Sequence, residues 1–113
     1  MPKQATAGST LKVGLTYETW QSSNPDGIGF VHAFDDSGTR IAQDDHAPAE
    51  GSYPTNLWMD GECVRESYSL EIPATASGIL KVFTGFYGTL DDARFATGTQ
   101  DNLVPLGEIQ VTP

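Results

Sequence analysis

Two histidines and a set of paired carboxylates are the side chains of this 113-residue chain best equipped for chemistry. His32 shares an alternating pattern with Ile28, Phe30 and Phe34, and Glu66 sits between Val64 and Tyr68 in another. Residues two apart on a strand lie on one face, so both polar groups are expected to point inward and to meet. A histidine held by a carboxylate is the core of a general-base dyad, which needs a hydroxyl or thiol nucleophile within hydrogen-bond reach. Ser67, Ser69 and Thr84 are ordinary strand residues, and the chain has no Gly-x-Ser-x-Gly elbow. An ionised carboxylate left alone in a core is costly. The favoured reading is therefore a satisfied buried polar pair, His32 with Glu66, that fixes strand register. A small hydrolase using the same pair is the weaker alternative, and the chain is expected not to be an enzyme.

Acidic doublets occur at Asp35-Asp36, Asp44-Asp45 and Asp91-Asp92, with Asp60 and Glu62 besides. Glycoside hydrolysis needs two carboxyls facing each other across a cleft, and neighbours on one strand point to opposite faces instead. None of the doublets has the spacing of a helix-loop-helix calcium site. Asp35-Asp36 and Asp91-Asp92 read as turn residues that bond their own backbone. A loop calcium held by Asp44, Asp45 and Asp60 with backbone carbonyls is the one metal reading, a minority one. His46 beside two aspartates is a weak transition-metal signal. Among the aromatics, Trp58 and Tyr68 are assigned to packing. That leaves Trp20 and Tyr53 as a candidate platform for stacking on a sugar ring.

Fifteen acidic residues against six basic ones give a formal charge of −9. Nucleic-acid binding draws on clustered Lys and Arg, so phosphate backbones are excluded as natural partners and anionic membrane surfaces are disfavoured. Cys63 is the single cysteine, so neither an intramolecular disulfide nor a thiolate metal cluster can form. Residues 1–25 hold no apolar run long enough to span a membrane.

The elements that must position these groups are strands. Turn signals recur at short intervals, and β-branched and aromatic residues fill the gaps between them. Residues 10–20 alternate through Leu11, Val13, Leu15 and Tyr17. Asn24-Pro25-Asp26-Gly27 and Asp35-Asp36-Ser37-Gly38 are turn sequences, and with strands at 28–35 and 39–44 they suggest a three-stranded meander. Residues 62–72 place Val64, Tyr68, Leu70 and Ile72 on one face, ending at Pro73. Residues 79–88 are apolar on both faces and belong near a sheet centre, and short strands at 94–97 and 106–112 close the chain. Between them, residues 45–61 form a long loop too apolar to lie free in water, with Trp58 as its expected anchor. The fold expected is a single antiparallel β-sandwich, immunoglobulin-like or jelly-roll-like, of seven or eight strands with little or no helix. It should span residues 10–113 behind a flexible segment at 1–9. The expected core is Leu15, Tyr17, Phe30, Phe34, Tyr68, Leu70, Leu80, Val82 and Phe86.

In order and spacing the chain resembles a family of bacterial β-sandwich domains. These lie at the extracytoplasmic carboxyl-terminal end of membrane proteins similar to lipid-linked-sugar glycosyltransferases. The matching pieces are Tyr17 and Trp20, Phe30-Val31-His32, Ala42-Gln43-Asp44, Pro48, Gly51, Tyr53-Pro54-Thr55, Trp58 and Gly61-Glu62. They continue through Tyr68-Ser69-Leu70 to Pro73, Gly85-Phe86-Tyr87 and Arg94-Phe95. Glu66 stands where the family pattern has aspartate, and Gly88 where it has an acidic residue. The resemblance implies an extracytoplasmic location and brings no established activity with it, since glycosyl transfer in such proteins belongs to the membrane portion. The resulting expectation is a non-catalytic accessory or interaction module with a protein or glycan partner. A carbohydrate-binding module is the first alternative.

Overall fold

The computed structural model describes residues 3–18, 27–48, 55, 62–88 and 103–113. Among these residues there are seven strands and no α-helix, and hence no helix long and apolar enough to cross a membrane. The strands are β1 (Gln4–Thr6), β2 (Thr10–Glu18), β3 (Gly27–Phe34), β4 (Arg40–His46), β5 (Cys63–Glu71), β6 (Gly78–Gly88) and β7 (Val104–Thr112). They make a five-stranded sheet of order β1-β7-β6-β3-β4 and a two-stranded sheet, β2-β5. The expected all-β sandwich forms. Its connectivity is the immunoglobulin-like one of the two alternatives, with β2 and β5 in the B and E positions and β3, β6 and β7 in the C, F and G positions.

Three expectations are corrected. The amino-terminal segment is not simply a flexible lead-in, because β1 joins the larger sheet as a parallel partner of β7, Gln4 opposite Gln110 and Thr6 opposite Thr112. The sheet is therefore mixed rather than wholly antiparallel. The meander is only half present: β3 and β4 form a hairpin, but β2 crosses to the other sheet and pairs with β5. The turn at Asn24–Asp26, the strand at 94–97, Trp58 and Asp91-Asp92 lie outside the described residues.

The third correction concerns the faces of β3. Its inward residues are Val31 and Ala33, both fully buried in one apolar cluster with Val13, Tyr68, Leu70, Leu80, Val82 and Ile109. Phe30, His32 and Phe34 therefore lie on the opposite face, away from β2 and β5. Phe30 is nonetheless fully buried and His32 nearly so, because β3 is central in its sheet and covered on both sides. Alternation alone cannot tell the two faces of such a strand apart. Leu15, Tyr17, Phe34 and Phe86 are half-buried at the margins rather than central.

The hairpin turn is as the sequence predicts. Asp35 Oδ1 accepts the amides of Ser37 and Thr39, each at 2.9 Å, and Gly38 takes the positive φ of 80°. A different glycine sets the distance between the sheets. A Cβ on Gly29 would lie 2.5 Å from the Tyr68 hydroxyl and 3.1 Å from a Phe86 ring carbon. Gly29→Ala is therefore expected to cost roughly 1–3 kcal/mol by overpacking, read from urea unfolding. Adding Tyr68→Phe should recover part of that loss, and strictly additive costs in the double mutant would refute the contact.

Candidate functional site

β4 carries the two aspartates and one of the histidines, and its pleat separates them. Asp45 shares the outer face with Phe30 and His32 of β3, while Asp44 and His46 turn inward, toward β5. The expected calcium pair is thus divided, since Asp44 and Asp45 project to opposite sides of one strand and cannot converge on one ion. Among the described residues no group of three or more His, Cys, Asp or Glu side chains could hold a metal. Asp60, and the candidate sugar platform of Trp20 and Tyr53, lie outside the described residues.

On the outer face, His32 Nε2–H donates to Asp45 Oδ1 at 2.9 Å, and the Tyr87 hydroxyl donates to Asp45 Oδ2 at 3.2 Å. The imidazole stacks on Phe30, ring centres 4.2 Å apart. His32 and Glu66 are both buried, as expected, but they do not share a face. Glu66 lies opposite Leu15 on the inner face of β5, while the carboxylate beside His32 comes from the adjacent strand of its own sheet. The histidine on Glu66's side is His46. The dyad reading thus loses its geometry, because the two strand patterns were each in phase with burial but belonged to different layers.

On the inner face, side chains of β4 bond to the main chain of β5. Asp44 Oδ2 accepts the Ser69 amide at 2.8 Å, and His46 Nε2 lies 3.1 Å from the Ser67 carbonyl. Ser67 and Ser69 are two apart, so their outward main-chain groups face the same way, off the edge of β5. Asp44 and His46 act there as a substitute for a strand ladder and tie the two sheets along one side. His46 Nδ1 faces the Ala47 carbonyl at 3.2 Å. A carbonyl can only accept, so both ring nitrogens must donate for both bonds to exist, which requires the imidazolium. Burial alone lowers the His46 pKa. Its two carbonyl partners and the charges of Asp44 and Glu66 outweigh that, and the net shift is upward from the ordinary 6.5.

Behind His46, stacked on it with ring centres 4.5 Å apart, is Tyr68. Its hydroxyl lies 3.0 Å from that of Tyr17, which lies 2.7 Å from Thr84 Oγ1. Thr84 donates to the Phe30 carbonyl at 2.7 Å, which fixes the direction of the chain: Tyr68 donates to Tyr17, and Tyr17 to Thr84. Burial drives both phenols upward in pKa, so they are neutral donors and not bases. Sequence reading missed this chain because its members come from three strands whose pairing was not yet known.

Along the same edge runs an open groove of about 610 Å³. It is lined by five consecutive residues of β4, Arg40 to Asp44, and by Ser69 and Glu71 of β5. Among the described residues, both charge signs, an amide and a hydroxyl line it and no aromatic ring does.

The folded His46 pKa lies above the unfolded value. Its contribution to stability is therefore full below about pH 6.5 and is lost as pH rises through the folded pKa. Urea midpoints between about pH 6 and 9 should fall with rising pH, and His46→Gln should flatten that slope. A ring titration midpoint at or below the ordinary value would contradict the two-carbonyl geometry. Thr84→Val should cost about 1–3 kcal/mol in the same assay by breaking the hydroxyl chain at its acceptor.

The chain matches no protein-family model, no curated protein and no solved structure.

Proposed function

We propose that this chain is a non-catalytic recognition module that works through the open side of the sandwich. The observation that carries this reading is the polar groove between the edges of β4 and β5. It has the volume of a ligand site and hydrogen-bonding groups along its whole length. The histidine–carboxylate contacts support the same reading. His32–Asp45 and the Asp44–His46 seam each bind one element of the sandwich to another, which is work done by a scaffold. The resemblance to extracytoplasmic accessory domains points the same way.

A carbohydrate-binding module is the second reading, and its requirement is two coplanar aromatic rings in water, for which Trp20 and Tyr53 are the candidates. Arrays of peptides and of glycans, the latter with and without calcium, separate the two. The expected result is saturable peptide binding with no turnover in a parallel panel of ester and glycoside substrates. Glycan binding that disappears in Trp20→Ala would replace the first reading with the second. Hydrolysis abolished by His32→Ala would sink both in favour of the enzyme.

A further inference from the structure

We propose that β4 is a docking edge, and that its occupant is an extended, basic polypeptide segment added as a further strand. The inference rests on the recognition reading above and names the partner's chemistry. β4 closes the five-stranded sheet, and its only strand partner among the described residues is β3. Every second residue of such a strand turns its amide and carbonyl away from the sheet, a template for another strand. A groove lined by five consecutive residues runs along the strand's edge rather than over one face, since a face would contribute only alternate residues. At about 3.3 Å per residue those five positions match an incoming stretch of similar length.

Charge selects the occupant. Among the described residues Asp44 and Glu71 line the groove with Arg40, the Lys12 ammonium beside it is engaged by the Ser69 hydroxyl, and the whole chain carries −9. A second copy, itself at −9, and an acidic peptide would each bring further negative charge and be repelled. A segment alternating Lys or Arg with β-branched residues meets a complementary field, while main-chain bonds supply affinity. Carboxylates on an edge strand usually guard against self-pairing. Here that guard leaves the edge open to one sign of partner.

The test uses the full chain, labelled with nitrogen-15, and an octapeptide alternating Lys with Val and Thr. The expected result is shifts confined to amides of residues 40–44, 69 and 71, weakening as salt rises. Methylating alternate peptide nitrogens on the pairing edge should weaken binding about tenfold or more, because strand addition needs those donors. Glu71→Lys should weaken it by about tenfold, and Glu108→Lys on β7 by less than about twofold. Shifts elsewhere, equal binding of the methylated or an acidic peptide, or self-association through β4 would each overturn the proposal. A non-peptide ligand mapping to the groove would remove the docking edge and leave the recognition reading intact. Failure of the octapeptide together with silence on both arrays would remove both.

Discussion

The structure depends on where Tyr68 puts its ring. Fully buried on β5, it reaches across the sandwich until its hydroxyl lies over Gly29 of β3, where no Cβ stands in the way. From there it donates into the Tyr17–Thr84 chain and presents its face to His46 of β4. Strands from both sheets thus meet one side chain. A buried hydroxyl without a partner is costly, so the polar chain restricts which register of the two sheets is acceptable, while apolar contacts alone would tolerate several.

That arrangement explains how polar groups are distributed. The small sheet has one apolar face and one solvated face, as Leu11, Val13, Val64, Tyr68 and Leu70 against Lys12, Thr16, Arg65 and Ser67 make plain. The central strands β3 and β6 carry apolar side chains on both faces, with His32, Thr84 and the exposed Lys81 as the polar exceptions. Where the sheets part, at β4 and β5, side-chain to main-chain bonds replace a ladder. Beyond that seam the edges enclose the groove, so the features read as functional and those read as structural share one border. His46, held by two carbonyls, makes the seam sensitive to protonation while the hydroxyl chain behind it is indifferent to pH over the same range.

Much of this was legible in the residues, and the failures have physical causes. Strand positions followed from alternation and turn chemistry: the Asp35–Gly38 turn, the arrest at Pro73 and the two-sided character of β6 are local properties. Partner choice is not local. Nothing in residues 10–18 says that their neighbour is β5, fifty residues on, rather than β3. Phe30, His32 and Phe34 looked more like core than Gly29, Val31 and Ala33 because large aromatics outweigh small residues in any count. The close approach of the sheets needed the small ones inward. Asp44 and Asp45 invited a shared ion by adjacency, which is the arrangement a pleat forbids. The short stretch Gln4–Thr6 carries too few side chains to announce itself and becomes a strand only because β7 offers it an edge.

That same pairing has a mechanical meaning. β1 and β7 run in the same direction, and the Gln110 amide bonds to the Lys3 carbonyl while the Ala7 amide bonds to that of Thr112. A pull on Lys3 and an opposite pull on Pro113 would slide the two strands along each other. All the bonds between them would then bear load at once, where a hairpin pulled at its open end gives way bond by bond. Tension along the chain would meet its first resistance there, before reaching either the apolar interior or the seam at β4. Three short residues thereby act as a latch for the whole sandwich, and its strength is set by main-chain geometry rather than by the side chains that chose the fold.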